Sequence, residues 1–424
     1  MNVAVLGSGG REHSICYKLS QSKKIRRLFC IPGNAGTASY AININADTSN
    51  FKQLYNLIKK HNIKMIIVGP EQPLVEGIVD YFSLKGIKIF GPDKFCSKLE
   101  GSKYFTKKIC KENNIPTAQF GFFNNLKKSK KFINTSKIPL VIKADGLAAG
   151  KGVYICNSKQ KALFAVKEIL SGKFKTSSKV LIEEFLNGEE MSYFIISDGK
   201  NYNFFGSAQD HKRVGENDKG PNTGGMGSYS PSTIINKKLE NKILNKIVEP
   251  TLKALKKNNH PYKGILYVGL MILKNEPYLI EYNVRMGDPE CQAIMARLKT
   301  DLFEIIDACI NQKLKKIKIK WKKEKSMCIV LCSNGYPGIY KKNILIKNIN
   351  KIKTKNNELI FHAGTIKIKN QIYSNGGRVL NFISLSKQLI KSRNNIINLI
   401  KKLNWKYGFY RKDIGWRAIK QKKL

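Results

Sequence analysis

The chain has 424 residues, of which 42% are hydrophobic and 25% charged, and its formal net charge is +46. This length permits two to four domains with buried cores. No run approaches the roughly 18 apolar residues of a membrane span, and the first residues are typical of a strand and not of a signal peptide. Nine cysteines without C-x-x-C pairs favour a reducing cytoplasm over a disulfide framework or a zinc site.

The positive charge is spread along the whole chain, mostly as lysine. Clusters such as 127–131 and 313–320 have no interleaved aromatic side chains on which bases could stack. We interpret them as solvated surface and expect no specific nucleic-acid partner. The alternative is affinity for polyanions, which would appear at low salt as tight binding with a steep salt dependence.

Residues 1 to about 102 alternate short apolar strands with helices. The predicted strands are 3–6, 27–31, 65–68 and 87–90, and the predicted helices are 11–22, 51–61 and 74–84. This alternation predicts a doubly wound parallel sheet. Ligands of such sheets bind at the carboxyl ends of the strands, where the loops 7–10, 32–37 and 69–73 lie.

A predicted helix at 94–113 leads out of this sheet, and strands then predominate. The further predicted strands are 140–143, 152–156, 179–184, 192–197, 203–209, 264–273 and 277–282, and the helices are 159–170 and 237–258. The last hundred residues have short strands near Val330, at 361–368 and at 377–380, which predicts a small β-rich closing domain.

The glycine-rich turn at 7–10 joins the first predicted strand to its helix. It is not a dinucleotide fingerprint, because Glu12 stands at the third glycine position of G-x-G-x-x-G and no acidic residue ends the second strand. Since helix N-termini bind phosphate, Gly9, Gly10 and Arg11 are candidates for holding a phosphorylated ligand. A purely structural tight turn is the alternative.

A loop of small residues between 144 and 152 joins two predicted strands. It is not a Walker A loop, since it is one residue short and Gly152 replaces the Ser or Thr. A flexible hairpin of this kind can fold over a triphosphate. Lys143 on the first strand would hold phosphate oxygens as a point charge.

The segment 181–192 places Glu183 and Glu190 on either side of an apolar hinge. One carboxylate there suits an adenine amino group, and the other suits ribose hydroxyls. Taken singly, this segment and the small-residue loop are more often structural than functional. Their order along the chain is what indicates a nucleotide site.

The segment 280–292, IEYNVRMGDPECQ, begins as a predicted strand. Glu281 and Asn283 share a face of that strand, because alternate residues point the same way. A carboxylate and an amide oxygen side by side suit Mg²⁺ that carries a nucleotide phosphate. Arg285 follows on the same face, before a turn at 286–289. Without the other motifs, a polar strand end would be the simpler interpretation.

The blocks 143–152, 183–190 and 281–283 resemble the ATP-grasp superfamily. Within it, the chain resembles the phosphoribosylamine–glycine ligase family of purine synthesis over nearly its full length. The matching segments are GSGGREH at 7–13, GNAGT at 33–37, LEGSK at 99–103, QDHKR at 209–213, GPNTGGMG at 220–227, RMGDPE at 285–290 and RKDIGWR at 411–417.

The resemblance implies a multidomain protein of mixed α/β and α+β class. Its parts would be an N-terminal doubly wound domain (1–102), an ATP-grasp domain (103–325) with a mobile lobe at about 119–192, and a C-terminal β-rich domain (326–424). It implies ATP-dependent joining of glycine to 5-phosphoribosylamine through glycyl phosphate, with Mg²⁺ or Mn²⁺ bound. The enzyme would be a cytoplasmic monomer without a membrane partner.

The resemblance also implies the functional residues. Catalytic roles fall to Arg285, Asp210, Lys212 and Arg213, and metal binding to Glu281 and Asn283. ATP would be bound by Lys103, Lys143, Gly150, Lys151, Gly152, Glu183, Glu184, Leu186 and Glu190. Phosphoribosylamine and glycine would be bound by Gly9, Gly10, Arg11, Gly224, Gly225 and Asp288. Asp210 would orient or deprotonate the amine, with a turn-capping role as the alternative, and His211 is expected to be a supporting residue and not a base.

Other ATP-grasp enzymes supply a second acidic metal ligand from the strand that precedes Glu281. The segment 267–272 has none, which leaves Asp288 and Glu290 as candidates. The nearest rival function is another ATP-grasp ligase of purine metabolism. A basic nucleic-acid-binding protein is a third, which only the charge supports.

Overall fold

A computed structural model describes residues 1–147, 152–174 and 179–420. Within those ranges, none of the helices has the length and apolar character that crossing a bilayer requires. All nine cysteines are buried thiols outside any disulfide.

Five parallel strands form the sheet of the N-terminal part. In chain order the elements are β1 (Asn2–Gly7), α1 (Gly10–Leu19), β2 (Arg27–Pro32), β3 (Ile42–Asn43), α2 (Phe51–Lys60), β4 (Met65–Val68), α3 (Glu71–Glu76), α4 (Ile78–Ser83) and β5 (Lys88–Phe90). The strand order is β3-β2-β1-β4-β5. Ala4 and Leu6 of β1 enter one buried cluster, and Val3 and Val5 enter another. Both faces are therefore covered, as predicted for a doubly wound sheet.

Two predicted helices are each broken in two. Gly77 separates α3 from α4 with a φ of 96°, a left-handed conformation that ends a helix. The predicted helix 94–113 is divided at Ser102 into α5 (Lys94–Gly101) and α6 (Lys103–Glu112). The Ser102 hydroxyl accepts a hydrogen bond from the Phe105 amide at 3.2 Å and so begins α6. This break places Lys103 in the first turn of a new helix.

A four-stranded antiparallel sheet, here called the lobe sheet, follows. Its elements are β6 (Phe120–Phe123), α7 (Leu126–Thr135), β7 (Leu140–Ala144), β8 (Val153–Cys156), α8 (Lys159–Leu170) and β9 (Val180–Glu184). The strand order is β6-β9-β7-β8. Both helices pack on one face, where they bury a core of their own that includes Ile133, Ile142 and Val166.

The chain then enters the largest sheet, here called the main sheet. The elements up to residue 310 are β10 (Glu189–Asp198), β11 (Tyr202–Asp210), β12 (Arg213–Gly215), β13 (Lys219–Asn222), β14 (Gly227–Ser230), α9 (Lys237–Ile243), α10 (Glu249–Lys257), β15 (Lys263–Leu273), β16 (Glu276–Asn283), α11 (Glu290–Arg297) and α12 (Leu302–Ile310). A π-helical turn at Leu244–Val248 joins α9 to α10, so the predicted helix 237–258 is nearly continuous.

The C-terminal part extends the main sheet. Its elements are β17 (Lys325–Ser333), β18 (Ile344–Leu345), β19 (Glu358–His362), β20 (Thr365–Ile368), β21 (Gln371–Ser374), β22 (Arg378–Ser386), α13 (Leu389–Leu403), β23 (Gly408–Phe409) and α14 (Trp416–Lys420). The main sheet runs in the order β16-β15-β10-β11-β14-β17-β22-β19. One continuous sheet thus connects the predicted metal strand β16 with the C-terminal part. The predicted strand 361–368 is in fact two strands, β19 and β20.

Two buried histidines lie where α1 contacts the C-terminal part. The ring centroids of His13 in α1 and His362 in β19 are 5.7 Å apart. The His362 amide donates a hydrogen bond to His13 Nδ1 at 2.8 Å. Burial lowers the pKa of His362 to about 4, so both rings are packed in their neutral form.

We expect the free energy of unfolding to fall as the pH is lowered from 7 to 5. An unfolded chain protonates its histidines near the ordinary pKa of 6.5, whereas folded His362 stays neutral until the pH approaches 4. Protons therefore favour the unfolded chain in this window, and His362 alone accounts for about 2 kcal/mol at pH 5. Urea unfolding at several pH values measures the loss. It should be smaller in His362→Phe, and an equal loss in that variant would contradict the assignment.

Candidate active site

A cavity of about 740 Å³ lies between the lobe sheet and the main sheet. A volume of this order is typical of cofactor and small-molecule sites. The predicted site residues that line it are Arg11, Lys103, Lys143, Glu183, Glu184, Leu186, Glu190, Asp210, Lys212, Arg213, Gly224, Glu281, Asn283, Arg285 and Asp288. The predicted residues that do not are Gly9, Gly10, Gly152 and Gly225. Gly150 and Lys151 lie outside the described residues.

Part of the cavity wall is apolar. Its members are Val141, Ile155, Leu181, Phe185, Leu186, Met271 and Leu279. They come from the lobe sheet, from the connection that follows β9, and from β15 and β16. Apolar walls that approach from two sides suit a flat heterocycle such as adenine. Glu190 lies beside this wall, because it is the register partner of Met271.

Glu183 of β9 is a buried carboxylate held between two lysines. Its Oε2 lies 2.5 Å from Lys143 Nζ, and its Oε1 is paired with Lys107 Nζ. Burial alone would raise the pKa of Glu183, but Lys143 and Lys107 outweigh it, and the net pKa lies below the ordinary value. Both oxygens are thus paired with lysines, and the role of Glu183 in ATP binding stays a prediction.

Lys107 was not among the predicted site residues, although the sequence contained a signal for it. It stands four residues after Lys103, so both side chains lie on one face of α6. Only 2% of its side chain is exposed, and its Nζ also donates to Thr117 Oγ1. Thr117 in turn donates to the Leu279 carbonyl of β16 at 2.7 Å. This network connects the lobe sheet to the edge of the main sheet.

Lys103 is positioned by the helix break at Ser102. Its backbone amide donates to Asp145 Oδ1 at 2.7 Å, and its Nζ donates to the Gly146 carbonyl at 2.9 Å. The first turn of α6 therefore lies directly against the start of the small-residue loop. Burial lowers the pKa of Lys103 from its ordinary value. Two lysines from separate elements, Lys103 and Lys143, thus face one cavity.

Glu281 and Asn283 both line the cavity from β16, as the alternation of a strand requires. Lys212 Nζ lies 3.7 Å from Glu281 Oε1 and also pairs with Glu190. Burial acts to raise the pKa of Glu281, but Lys212, Lys143 and other cations hold it below the ordinary value. About 41% of the Glu281 side chain is accessible. An ionised carboxylate is therefore available on the cavity wall.

These donors fit a metal that is bound jointly with phosphates. Mg²⁺ commonly takes one or two protein oxygens together with waters and substrate phosphates, and Glu281 and Asn283 supply such a pair. In the described parts of the chain, no group of three His, Cys, Asp or Glu side chains forms a cage made of protein alone. Neither candidate for a further ligand is free, because Asp288 accepts from Gln292 at 2.8 Å and Glu290 accepts from Ser192 at 3.0 Å.

Arg285 is fixed between two carboxylates that sequence reasoning did not select. Its Nη2 lies 2.7 Å from Glu100 Oε1, and its Nε lies 3.1 Å from Glu71 Oε2. Burial would raise the pKa of Glu71, but Arg285 and Arg11 lower it to about 2. Burial dominates for Glu100 and raises its pKa to about 7. Both acids had a sequence signal, since one lies in the loop 69–73 and the other in LEGSK.

The predicted phosphate cradle at the start of α1 is occupied by the protein itself. The Gly9 amide donates to Glu12 Oε2 at 2.6 Å. Gly10 packs so closely against Asn381 and Gln292 that a Cβ would collide with both. Arg11 alone of the three residues reaches the cavity, while its Nε pairs with Glu12 at 2.6 Å. This geometry favours the alternative of a structural tight turn for Gly9 and Gly10.

Asp210 ends β11, His211 follows it, and both line the cavity. Asp210 Oδ1 accepts a hydrogen bond from the His211 amide at 2.6 Å, which is a local turn contact. Burial and the nearby Glu290 also raise the pKa of Asp210 well above its usual range. His211 accepts from the Gly415 amide at Nε2, and its Nδ1 faces the Gly227 carbonyl. Both ring nitrogens of His211 are therefore engaged within the protein.

Arg378 of β22 is a cavity residue for which no local sequence signal existed. Its Nη1 donates to the Gly224 carbonyl at 2.7 Å and to the Asp288 carbonyl at 2.6 Å. It also lies 3.3 Å from Asp288 Oδ1. Gly225 has a φ of 116°, and a Cβ there would collide with Pro289. Gly225 therefore shapes the turn without lining the cavity.

The lobe sheet and the main sheet enclose paired lysines, a buried arginine and the strand β16 with its candidate oxygen ligands. These features together define an ATP-grasp ligase. Family models of phosphoribosylglycinamide synthetase match three consecutive parts of the chain. These are the N domain at 1–100, the ATP-grasp (A) domain at 101–291 and the C domain at 326–417. The chain belongs to the phosphoribosylglycinamide synthetase family, and as an ATP-grasp ligase it uses ATP as a co-substrate.

Individual proteins agree with this assignment. The phosphoribosylamine–glycine ligase of Brucella melitensis is 42% identical over 424 residues, which are 100% of this chain and 99% of that protein. The crystal structure of phosphoribosylamine–glycine ligase from Thermotoga maritima superposes with a TM-score of 0.83 at 31% identity, covering 98% of this chain and all of that one. The predicted family and fold class are confirmed.

A more distant structure supports the fold alone. The biotin carboxylase domain of 2-oxoglutarate carboxylase from Hydrogenobacter thermophilus, determined with MgADP and bicarbonate, has a TM-score of 0.72 at 14% identity. The match covers 94% of this chain and 89% of that domain. The arrangement of lobe sheet and main sheet is therefore shared well beyond the family.

Proposed function

We propose that this chain uses ATP to join the carboxylate of glycine to the amine of 5-phosphoribosylamine. The products are glycinamide ribonucleotide, ADP and phosphate. One observation carries the proposal: a single cavity contains the lysines and oxygen ligands of a nucleotide site together with Asp210, Lys212 and Arg213. The relatives with full-length similarity are phosphoribosylamine–glycine ligases, which supports the same substrates.

The nucleotide lies with its base against the apolar part of the wall. Glu184 and Leu186 lie beside the base, at the end of β9 and in the connection that follows it. Glu190 faces the ribose. Lys103 and Lys143 neutralise the phosphates, and Gly150, Lys151 and Gly152 belong to the same proposed ATP site. Glu183 acts through Lys143, whose ammonium it holds at 2.5 Å, and not through the base. Positioning and charge neutralisation are the main demands of phosphoryl transfer.

Glu281 and Asn283 would hold Mg²⁺ or Mn²⁺. Either ion, when bound, would supply positive charge that neutralises phosphate. Lys212 Nζ, 3.7 Å from Glu281 Oε1, offsets the charge of this carboxylate before the nucleotide enters.

The carboxylate of glycine becomes an electrophile when it accepts the γ-phosphoryl group as glycyl phosphate. Arg285, fixed by Glu71 and Glu100, binds the glycine carboxylate or the transferring phosphoryl group. The amine of phosphoribosylamine then attacks the acyl carbon, a C–N bond forms, and phosphate leaves. Asp210 orients that amine and accepts its proton, since a raised pKa makes this carboxylate a stronger base than usual.

The acceptor is held by residues from three parts of the chain. Lys212, Arg213 and Gly224 approach from the loop after β11, Arg11 from α1 and Asp288 from the turn after β16. Gly225 contributes through the shape of the turn. Lysine and arginine at this end suit the 5′-phosphate of the acceptor.

Release of ADP by the purified chain tests the function. Phosphoribosylamine is generated in the assay, and ADP is measured with and without glycine. Release that requires both glycine and the amine supports the proposal. Release with another carboxylic acid but not with glycine would instead indicate a different ATP-grasp ligase of purine metabolism.

The same preparation tests the expectation that the protein has no specific nucleic-acid partner and is a monomer. Filter binding at low salt and light scattering measure the two properties. We also propose the domain division 1–102, 103–325 and 326–424, with a mobile lobe at about 119–192. Limited proteolysis in the presence and absence of an ATP analogue would locate these boundaries.

A further inference from the structure

The segment 411–417, RKDIGWR, is a matched motif that the proposed mechanism leaves without a role. It lies near the C-terminus. Arg411 is 198 positions along the chain from Arg213, which is one of the residues proposed to hold the acceptor. In the folded chain it contacts the loop that begins at His211. Neither Arg411 nor Asp413 lines the cavity.

The loop after β11 has little structure of its own. Its strands β12 and β13 pair only with each other, and they are three and four residues long. An isolated two-stranded ribbon of this size is marginal in water. At its tip, Asn217 and Asp218 have φ values of 55° and 56°, a left-handed conformation that Asn and Asp tolerate better than other non-glycine residues but that is still less favourable than the right-handed one. Contacts with other parts of the chain must therefore hold the ribbon in place.

Arg411 supplies the most concentrated of these contacts. Its side chain is 1% exposed. Its Nε and Nη2 donate to the two oxygens of Asp413 at 2.8 and 2.7 Å, in the fork geometry that gives arginine its directional strength. Its Nη1 donates both to the Arg213 carbonyl at 3.0 Å and to Asp218 Oδ1 at 2.9 Å. The Arg411 guanidinium is thus hydrogen-bonded both to the first strand of the ribbon and to its tip.

Neighbours of Arg411 in the segment reinforce the same contact. Asp413 Oδ2 accepts from the Asn217 amide at 2.8 Å. The Gly415 amide donates to His211 Nε2 at 3.0 Å, and Arg417 Nη2 lies 2.7 Å from Asp218 Oδ2. The segment therefore holds the loop at its start, along its first strand and at its tip. Lys212 lies between these anchors, and β13, which leads back towards Gly224, pairs with the anchored strand β12.

We propose that Arg411 is a positioning residue for the acceptor, which it serves by holding the loop 211–224 through Asp413, Asp218 and the Arg213 carbonyl. This inference rests on the proposed function, since it assigns that loop to phosphoribosylamine. It requires that loss of Arg411 weaken the binding of the acceptor and leave the binding of the nucleotide nearly unchanged. The nucleotide is held by the lobe sheet and β16, which the segment 411–417 does not contact through any of these bonds.

Arg411→Lys and Asp413→Asn test the proposal. Lysine keeps the charge but cannot form the fork, and asparagine keeps the shape but loses the ion pair. Kinetics are measured in both directions, because the reverse reaction uses glycinamide ribonucleotide, a defined substrate, with ADP and phosphate. We expect KM for phosphoribosylamine and for glycinamide ribonucleotide to rise roughly ten- to a hundredfold, the scale of a displacement of about 1 Å in a binding group. KM for ATP and ADP should change less than about twofold.

Asp307→Asn is the matched control. Asp307 Oδ1 pairs with Lys88 at 3.2 Å, between α12 and β5, and does not line the cavity. It should leave every KM unchanged. Arg411→Lys and Asp413→Asn disrupt the same contact. The double variant should therefore raise KM for the acceptor little more than either single variant does.

The outcomes separate this inference from the proposed function. If the unmodified chain shows no glycine-dependent ADP release, the proposed function fails and the inference fails with it. If the unmodified chain is active, an unchanged acceptor KM in both variants overturns the inference alone. A fall in kcat with equal changes in all KM values, accompanied by a lower unfolding temperature, would show a merely structural role and would also overturn it.

Discussion

Glu281→Gln is expected to lower kcat about a thousandfold or more while leaving the unfolding temperature close to that of the unmodified chain. Glu281 is the only carboxylate among the two proposed metal ligands, and a bound cation supplies several kcal/mol of charge stabilisation during phosphoryl transfer. The fold should tolerate the change because a large part of the side chain, 41%, is accessible. Steady-state ADP release and thermal unfolding measure the two effects.

The control for this variant is Glu276→Gln on the same strand. Glu276 pairs with Lys242 and Lys246 and does not line the cavity. It should retain full activity. Activity of Glu281→Gln within tenfold of the unmodified chain would remove the metal assignment, whatever the control shows. Isothermal titration of the ATP-loaded protein with Mn²⁺ gives a second readout, in which the variant should bind the ion more weakly.

The second large effect is expected at Glu183. In Glu183→Gln, the buried Lys107 and Lys143 lose their shared counter-ion, and each is less than one tenth exposed. Removing one partner of a buried ion pair leaves an uncompensated charge, so we expect a loss of about 3 kcal/mol in the free energy of unfolding. The apparent affinity for ATP should also fall, because Lys143 no longer has a fixed position.

A double variant separates charge from packing in this cluster. Lys107→Met removes one ammonium, so adding it to Glu183→Gln should restore part of the lost stability, an effect that independent sites would not show. Glu168→Gln, in the same lobe, serves as the control, since its pair with Lys173 is solvent-exposed and should matter little. Urea unfolding measures the stability of the unmodified chain, Glu183→Gln, the double variant and Glu168→Gln. A double variant less stable than Glu183→Gln would contradict the idea of an uncompensated charge.

The fold of the N-terminal sheet could be predicted because its strands carry their own signal. A parallel strand buried on both faces is a short continuous apolar run, such as Val3 to Leu6 or Met65 to Val68, that ends at a glycine. Helix interruptions were harder to predict. Ser102 and Gly77 interrupt the helices through local capping geometry, but they stand within periodic segments whose apolar pattern predicts continuous helices.

The sequence by itself determined the family, the three-part architecture and the side chains that share a strand face, such as Glu281 and Asn283. These features depend on local periodicity and on motifs whose members are close along the chain. Tertiary structure alone decided that Glu183 pairs with Lys107 and Lys143, that Arg285 is fixed by Glu71 and Glu100, and that Arg378 and Arg411 reach the loop 211–224 from the C-terminal part.

The physical reason is the range of the interactions. Backbone hydrogen bonding and alternation of side chains act over a few residues, so they are visible in a sequence. The pairing of a buried charge is decided by which elements the fold brings within about 3 Å, and a charge buried without a partner would be too costly to persist. One sequence therefore shows which charged residues are available, and only the folded chain shows which of them are partners.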